Sequence, residues 1–320
     1  MGQCASSVVL VRPTGFGYDP ETAESNSFQR RSPADDVRRQ AATEFDGLLD
    51  ALRSAGVGVT VLDPFSADAP NAVFPNNWFS TDEEGNVVLY PMHTPSRRAE
   101  RDPDLARTLA AEGFYAQRTI DLSGWEHKAL ILEGTGSLVL DRTHRKAFAC
   151  ISPRTTENAL NAWSEQLGYT PIAFTATMDG SLGGQPVYHT NVVMSIGERF
   201  AVVCFEAMPY PAERQEVNEE LEKSGREVIP ITLEQMHHYV GNLLQLRQQP
   251  SPSKLALSGV EGPLVDFIFL SETAFLALMP EQRMALQRHG QLVPVAVPTI
   301  EAIGGGSVRC MLAENFLPLR

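Results

Sequence analysis

The residue with the clearest potential for covalent chemistry is Cys310, which follows Gly304-Gly305-Gly306-Ser307-Val308-Arg309 in the 320-residue sequence. Consecutive glycines allow backbone conformations that other residues avoid, and a close approach to a neighbouring group. A loop cysteine beside a basic residue can be held as a thiolate and act as a nucleophile. The same residues also fit a flexible turn before a buried strand, and the sequence physics alone favours neither interpretation.

Two further residues have the chemistry that a cysteine nucleophile needs. His189 stands just before the apolar run Val192-Val193-Met194, where a loop meets an expected strand. A histidine at such a junction is well placed to act as a general acid and base. Glu133 lies between Leu130-Ile131-Leu132 and Gly134-Thr135-Gly136, and it could orient a histidine or hold a cationic group. Taken singly, each residue would more often be structural.

Polar residues suited to substrate binding occur in three other places. Asn71, Asn76 and Asn77 lie in one ten-residue segment with Trp78 and Phe79, which is compatible with a binding loop as well as with ordinary turns.

Arg97 and Arg154 each follow a Ser or Pro and precede an expected helix. Paired arginines are a common clamp for a carboxylate, although a single arginine is more often a solvated surface residue.

The elements that must position these residues alternate between helices and short, often paired strands, which predicts a mixed α/β fold. Helices are expected over these ranges: Ala34–Ala55, Asp102–Ala111, Thr155–Leu167, Ala212–Lys223 and Pro280–Arg288. Strands are expected over these ranges: Ser7–Arg12, Gly58–Leu62, Asn86–Tyr90, Arg118–Leu122, Ala129–Leu132, Ser137–Leu140, Lys146–Ile151, Tyr169–Ala176, Thr190–Ser195, Phe200–Phe205, Glu227–Ile231, Lys254–Leu257 and Leu292–Val297. The Pro/Ser segment 250–253 is interpreted as a loop, so residues 1–320 are expected to form one catalytic domain.

The bulk composition excludes several other functions. A net charge of −13 without a dense basic cluster argues against nucleic-acid binding. No apolar stretch is long enough for a membrane helix, and no secretory signal is visible, so a cytoplasmic location is expected. The four cysteines contain no CxxC pair, and no Walker or GxGxxG motif is present, so neither a metal nor a cofactor is expected. The oligomeric state cannot be derived, and a homo-oligomer is compatible with the sequence.

Together these residues resemble the guanidine-modifying (pentein) superfamily, which includes arginine deiminase and dimethylarginine dimethylaminohydrolase. The resemblance rests on residue order: Cys310 matches the family nucleophile, His189 its histidine, and Glu133 the acidic residue of its Leu-(Glu/Asp)-Gly-Gly turn. It implies that Arg97 and Arg154 bind the substrate α-carboxylate. It also implies a pentein α/β-propeller, with five pseudo-symmetric αβ modules around a central active site, although no repeat is visible in the sequence.

The departures from the family concern the substrate. Deiminases bind the guanidinium cation with two aspartates, and the matching positions here are Asn77 and Asn191, with Asn71 in the same loop as Asn77. A buried cation without a carboxylate partner is costly, whereas a neutral ureido group suits amides. Asp82 is a nearby alternative source of charge. The loop Thr14–Gln29 resembles that of a citrulline-utilisation hydrolase subgroup, in which Asn26 would cover the substrate.

Three hypotheses follow. The first is a hydrolase that converts citrulline to ornithine, ammonia and carbon dioxide through an S-carbamoyl intermediate on Cys310. The second is the same chemistry on a guanidino substrate, as an arginine deiminase, an arginine dihydrolase or a dimethylarginine hydrolase. The third is a non-catalytic binding protein of the same fold, against which the intact Cys310, His189 and Glu133 argue.

Overall fold

A repeated unit of three strands and a crossover helix organises the molecule, which we describe from a computed structural model covering residues 2–31, 36–249 and 265–320. Five sheets of three strands are present in this part of the chain. In each sheet the middle strand pairs antiparallel with an inner strand and parallel with an outer strand. Parallel neighbours require a crossover connection, and helices supply it. The predicted five-module pentein fold is therefore confirmed.

The strands are short and lie at these positions: β1 (Ser7–Val11), β2 (Gly58–Leu62), β3 (Phe79–Thr81), β4 (Asn86–Leu89), β5 (Arg118–Asp121), β6 (Val139–Asp141), β7 (Lys146–Cys150), β8 (Thr170–Phe174), β9 (Met194–Ile196), β10 (Phe200–Val203), β11 (Glu227–Pro230), β12 (Leu244–Arg247), β13 (Asp266–Ser271), β14 (Gln291–Val295) and β15 (Ala313–Glu314). Four sheets are consecutive in sequence, β3 to β5, β6 to β8, β9 to β11 and β12 to β14. The remaining sheet has the order β15-β1-β2, so the last strand completes the first module.

The helices lie at these positions: α1 (Pro20–Ala23), α2 (Val37–Ser54), α3 (Pro95–Arg98), α4 (Leu105–Ala111), α5 (Gly134–Ser137), α6 (Glu157–Leu167), α7 (Thr190–Val193), α8 (Pro211–Lys223), α9 (Leu233–His237), α10 (Glu272–Ala277) and α11 (Pro280–Gln287). The longest, α2, buries Phe45, Leu48, Leu49 and Leu52 along one face, as their helical spacing requires. Tighter or wider turns occur at Pro75–Asn77, Ser123–Lys128, Phe205–Ala207, Ile300–Gly304 and Val308–Met311.

Segments that enter four of the five inner strands contact one another near the centre of the ring. The turn Pro75–Asn77 precedes β3, α5 precedes β6, α7 precedes β9, and the turn Val308–Met311 precedes β15. The turn Pro75–Asn77 contacts both α5 and the turn Val308–Met311, and α5 contacts α7. These four modules therefore each place side chains at the centre.

Two of the predicted strands are wrong. The range Ala129–Leu132 contains no strand, because Ser123–Lys128 forms a 3₁₀ helix that ends at Ala129 in a left-handed conformation. The range Thr190–Ser195 is divided between α7 and β9, because a helical turn is needed to enter the inner strand. The start of the helix predicted from Ala34 and the loop and strand predicted between 250 and 257 lie outside the described residues.

Candidate active site

A narrow cavity opens at the centre of the ring. Six of the residues proposed from sequence line it together with His189: Cys310, Arg97, Arg154, Asn26, Asn71 and Asn77. Glu133 lies directly behind His189, and Asn191 lies behind Cys310 beside a neighbouring cavity. The sequence-derived residues therefore come from distant parts of the chain to one place. None of the described residues that line the cavity is acidic.

The turn Val308–Met311 positions Cys310, whose side chain is almost fully buried. The backbone N–H of Cys310 donates to the carbonyl of Ser307 at 2.9 Å. Two side-chain amides donate to its sulfur: Asn242 Nδ2 at 3.3 Å and Asn191 Nδ2 at 3.5 Å. The sulfur is therefore held by neutral donors.

His189 and Glu133 form a buried pair, each at the residue that precedes a short helix. His189 Nε2 lies 2.8 Å from Glu133 Oε2, and the other carboxylate oxygen accepts the backbone N–H of His93 at 2.9 Å. Since Nε2 donates to the carboxylate, Nδ1 is the ring nitrogen left to exchange a proton. A Cβ on Gly136 would lie 2.8 Å from Nδ1, so only glycine fits at that position.

The electrostatic surroundings fix the charge of this pair. Burial alone would raise the pKa of Glu133, but the Arg154 guanidinium and the hydrogen bond with His189 outweigh it and hold that pKa far below its ordinary value. Burial lowers the pKa of His189 to about 4, against the opposing effect of Glu133. At neutral pH the site therefore contains a carboxylate and a neutral imidazole, which can accept a proton from a thiol.

Asn71 and Asn77 are held in opposite orientations by charged partners. Arg97 donates from Nη1 to Asn77 Oδ1 at 2.9 Å, and Asn77 Nδ2 has no partner among the described residues. Asn71 donates from Nδ2 to Asp19 Oδ2 at 2.9 Å, and Asn71 Oδ1 has no partner among them. Reversing either amide would set donor against donor or acceptor against acceptor. Two residues that line the cavity therefore have one donor and one acceptor without a partner among the described residues.

Arg97 and Arg154 are both buried, but their surroundings differ. Arg97 donates from Nε to both carboxylate oxygens of Glu100 at 2.9 Å, so this part of the guanidinium is already occupied by an acidic partner. Arg154 donates to Ser25 Oγ and, at 2.8 Å, to the carbonyl of Thr22, both on the N-terminal loop. Its Nη1 lies 3.6 Å from Glu133. Arg154 thus has more donor capacity left for a substrate.

The N-terminal loop lies over the glycine-rich segment. Asn26 donates to the carbonyl of Gly305 at 3.2 Å, and Gln29 donates to the carbonyl of Gly304 at 3.0 Å. Gly305 has φ +65, a conformation that glycine adopts without strain. Asn26 therefore links the N-terminal loop to the glycine-rich segment. Its side-chain oxygen accepts the backbone N–H of Phe28.

Sequence reasoning missed Asn242 and Asp19. Asn242 contacts the sulfur, and its signal was a Gly-Asn pair directly before an apolar run, a position similar to that of Glu133 and His189. Asp19 is buried and fixes Asn71, but an aspartate before a proline reads simply as a helix cap.

The family model for eukaryotic N,N-dimethylarginine dimethylhydrolases matches residues 12–317. The chain belongs to this family. Its members are hydrolases of a carbon–nitrogen bond in a guanidino amino acid, so the predicted superfamily and the predicted hydrolase class are confirmed. No curated protein matches the chain in sequence.

Solved structures of the same fold agree with this membership. ArgZ, an arginine dihydrolase from the ornithine–ammonia cycle in cyanobacteria, superimposes with a TM-score of 0.71 at 13% identity over 98% of this chain. Unliganded AgrE gives 0.72 at 16% identity over 98% of this chain. This chain covers 41% of that ArgZ chain and 40% of that AgrE chain.

A smaller relative is covered completely. A dimethylarginine dimethylaminohydrolase adduct with 4-chloro-2-hydroxymethylpyridine gives a TM-score of 0.60 at 14% identity, over 97% of this chain and 100% of that one. At these identities the structures support the fold, while the substrate must be argued from the site itself.

Proposed function

We propose that this member of the family hydrolyses a ureido amino acid, with citrulline converted to ornithine, ammonia and carbon dioxide. The observation that carries the proposal is the fixed, opposite orientation of Asn71 and Asn77. A ureido head has one carbonyl acceptor and several N–H donors, so Asn77 Nδ2 can donate to its oxygen while Asn71 Oδ1 accepts from its nitrogen. A guanidinium has donors alone and would leave Asn77 Nδ2 facing another donor.

The charge of the cavity supports the same substrate. A guanidinium buried without a carboxylate carries a large desolvation cost, and no acidic side chain lines the cavity among the described residues. Arg154 lines the cavity and is our candidate for the α-carboxylate, since Arg97 is already paired with Glu100. The role of Arg97 is then to fix the amide of Asn77.

The chemistry follows from the neutral state of His189. The imidazole takes the proton of the Cys310 thiol, and the thiolate attacks the ureido carbon to form an S–C bond. His189 then gives that proton to the ornithine nitrogen as the C–N bond breaks. Water, deprotonated by His189, cleaves the S-carbamoyl group, and the released carbamate yields ammonia and carbon dioxide. Glu133 keeps the imidazole in the required orientation throughout.

A second candidate is hydrolysis of a guanidino group, once or twice, on arginine or a methylated arginine. The family description names dimethylarginine as substrate, and ArgZ is an arginine dihydrolase. A dihydrolase must bind both a cation and a neutral intermediate, with which asparagines are compatible.

A timed substrate panel distinguishes the candidates. Purified protein is incubated with citrulline, arginine or dimethylarginine, and ornithine, citrulline and ammonia are quantified over time. Ornithine from citrulline, with arginine untouched, is the expected result. Citrulline that accumulates from arginine would identify a deiminase, and ornithine from arginine a dihydrolase. The Cys310→Ala variant is the control, and equal turnover by that variant would rule out Cys310 as the nucleophile. A wild type with no turnover on any of these compounds would favour a non-catalytic protein.

A cytoplasmic location is part of the proposal. All four cysteines are free, which suits a reducing compartment. Within the described residues no helix has the length and apolar character that crossing a bilayer requires.

A further inference from the structure

The sulfur of Cys310 lies in a cradle of two asparagine amides, and one of them has no assigned role. Asn242 is fully buried, and its Nδ2 donates both to the sulfur at 3.3 Å and to the backbone carbonyl of Asn191 at 2.9 Å. Asn191 adds a second donor at 3.5 Å. A sulfur that accepts two N–H groups is favoured as a thiolate, because hydrogen bonds to the charged form stabilise it.

The orientation of Asn242 is determined by its other contacts. Its Oδ1 accepts the backbone N–H of Arg309, the residue next to Cys310, at 3.0 Å. A reversed amide would set its NH₂ against that N–H, and its oxygen against both the Asn191 carbonyl and the sulfur. The donor face of Asn242 is therefore aimed at the sulfur by two independent backbone contacts.

The position of Asn242 in the fold also indicates a role at the centre of the ring. It stands in the segment that enters inner strand β12, as Asn77, Glu133, His189 and Cys310 stand before the inner strands of the other four modules. A Cβ on Gly241 would lie 2.2 Å from the carbonyl oxygen of Val192, so this segment is pressed against α7. The fifth module thus contributes a side chain to the centre like the others.

The neighbouring Arg309 guanidinium does not hold the sulfur in place of Asn242. The Arg309 guanidinium donates to the carbonyl of Leu312 at 2.9 Å and to Glu314 Oε2 at 3.1 Å. Its charge is paired with a carboxylate on β15. We propose that Asn242, with Asn191, positions the Cys310 sulfur and stabilises its thiolate through N–H···S hydrogen bonds. This inference deepens the proposed function and rests on it for the nucleophilic role of Cys310.

The test measures the thiolate without any substrate. Iodoacetamide alkylation of Cys310 is followed across pH by mass spectrometry of its peptide, which separates it from the other three cysteines. The titratable and charged groups around this sulfur include His189, Tyr188, Tyr239 and Arg309, and Arg97 and Arg154 line the same cavity. All of them are present in every variant, so their contribution is common to each profile.

Asn242→Ala removes one donor, and Asn242→Asp keeps the shape and the acceptor for Arg309 while turning an oxygen towards the sulfur. We expect the midpoint of the alkylation profile to rise by on the order of 1 pH unit for Asn242→Ala and by more for Asn242→Asp. Asn191→Ala should raise it by less, since its contact is longer. Asn315→Ala is the matched control, because Asn315 is buried but bonds to Thr81 and Leu317.

Midpoints of Asn242→Ala and Asn242→Asp equal to wild type would overturn the proposal, and so would an equal rise in Asn315→Ala. A merely structural asparagine would lower the melting temperature and leave the midpoint of the folded protein unchanged. The result is independent of the substrate panel, since alkylation needs no turnover. A shifted midpoint with no hydrolysis of any tested compound would therefore count against the proposed function alone.

Discussion

Replacing Asn77 with aspartate should reverse the substrate preference. Arg97 fixes Oδ1 of Asn77, so the atom that changes is Nδ2, which has no partner among the described residues. It is replaced by a carboxylate oxygen. The new oxygen still satisfies Arg97, and its charge is partly balanced there. The prediction therefore isolates a single hydrogen-bonding group at the substrate head.

The expected change in kcat/KM is worked out for each substrate separately. Citrulline loses a hydrogen bond and meets a repelling oxygen, which costs about 2–4 kcal/mol in the transition state and lowers kcat/KM by about 30- to 1,000-fold. Arginine gains a charge-assisted hydrogen bond of about 1.5–3 kcal/mol, a rise of about 10- to 150-fold. The ratio of the two kcat/KM values should thus change by at least two orders of magnitude.

The assay is steady-state ornithine and citrulline production from each substrate by wild type, Asn77→Asp and Asn161→Asp. Asn161 lies exposed on α6 and controls for the added negative charge. If Asn77→Asp keeps the wild-type ratio of citrulline to arginine turnover while remaining folded, the donor–acceptor argument is wrong.

Three other predictions concern the catalytic pair and the carboxylate. Glu133→Gln should lower kcat by about 10²- to 10⁴-fold with little change in KM, because the imidazole loses its orienting carboxylate. Initial rates measure the effect, and an unchanged kcat would contradict the role of Glu133. Burial lowers the pKa of His189 to about 4, so the unfolded chain takes up a proton below pH 6.5 that the folded site resists. The free energy of unfolding is therefore unaffected by this group above pH 6.5 and falls by up to about 3 kcal/mol as the pH drops to 4. Urea titrations of wild type and His189→Asn would reveal the difference. Arg154→Met should raise KM at least about tenfold while kcat changes less, and Arg154→Lys should recover part of the lost affinity. If Arg154→Met has the same KM as wild type, Arg154 does not contact the substrate carboxylate.

Sequence reasoning reached the fold class and gathered most of the residues around the cavity, because both depended on residue order along the chain. Cys310, His189 and Glu133 each stand beside a glycine or a short apolar run, and that pattern is visible in the sequence. The strand predicted over Thr190–Ser195 is wrong because the same apolar residues first form a helical turn and then a strand. Periodicity in so short a run does not separate the two.

Contacts made by pairs of side chains could not be predicted in this way. The sequence places Arg97 beside no particular asparagine, and nothing in Pro95-Ser96-Arg97 indicates that its guanidinium is paired with Glu100 and fixes Asn77. Asp19 is likewise 52 positions from Asn71. Such pairs arise only when modules close around the axis, so the orientation of each amide, on which the proposed substrate rests, is a property of the folded ring.

The closure of that ring explains why Cys310 stands so near the last strand. β15 pairs antiparallel with β1, with Val8 opposite Glu314 and Val9 opposite Ala313, and it contacts β3 on its other side. Glu314 also receives the guanidinium of Arg309, so the turn that carries Cys310 is held from both ends. Because β15 belongs to the first module, the pairing of the last strand with the first places the turn that carries Cys310 beside the amides of Asn191 and Asn242. Closure of the ring therefore brings the sulfur to its two amide donors.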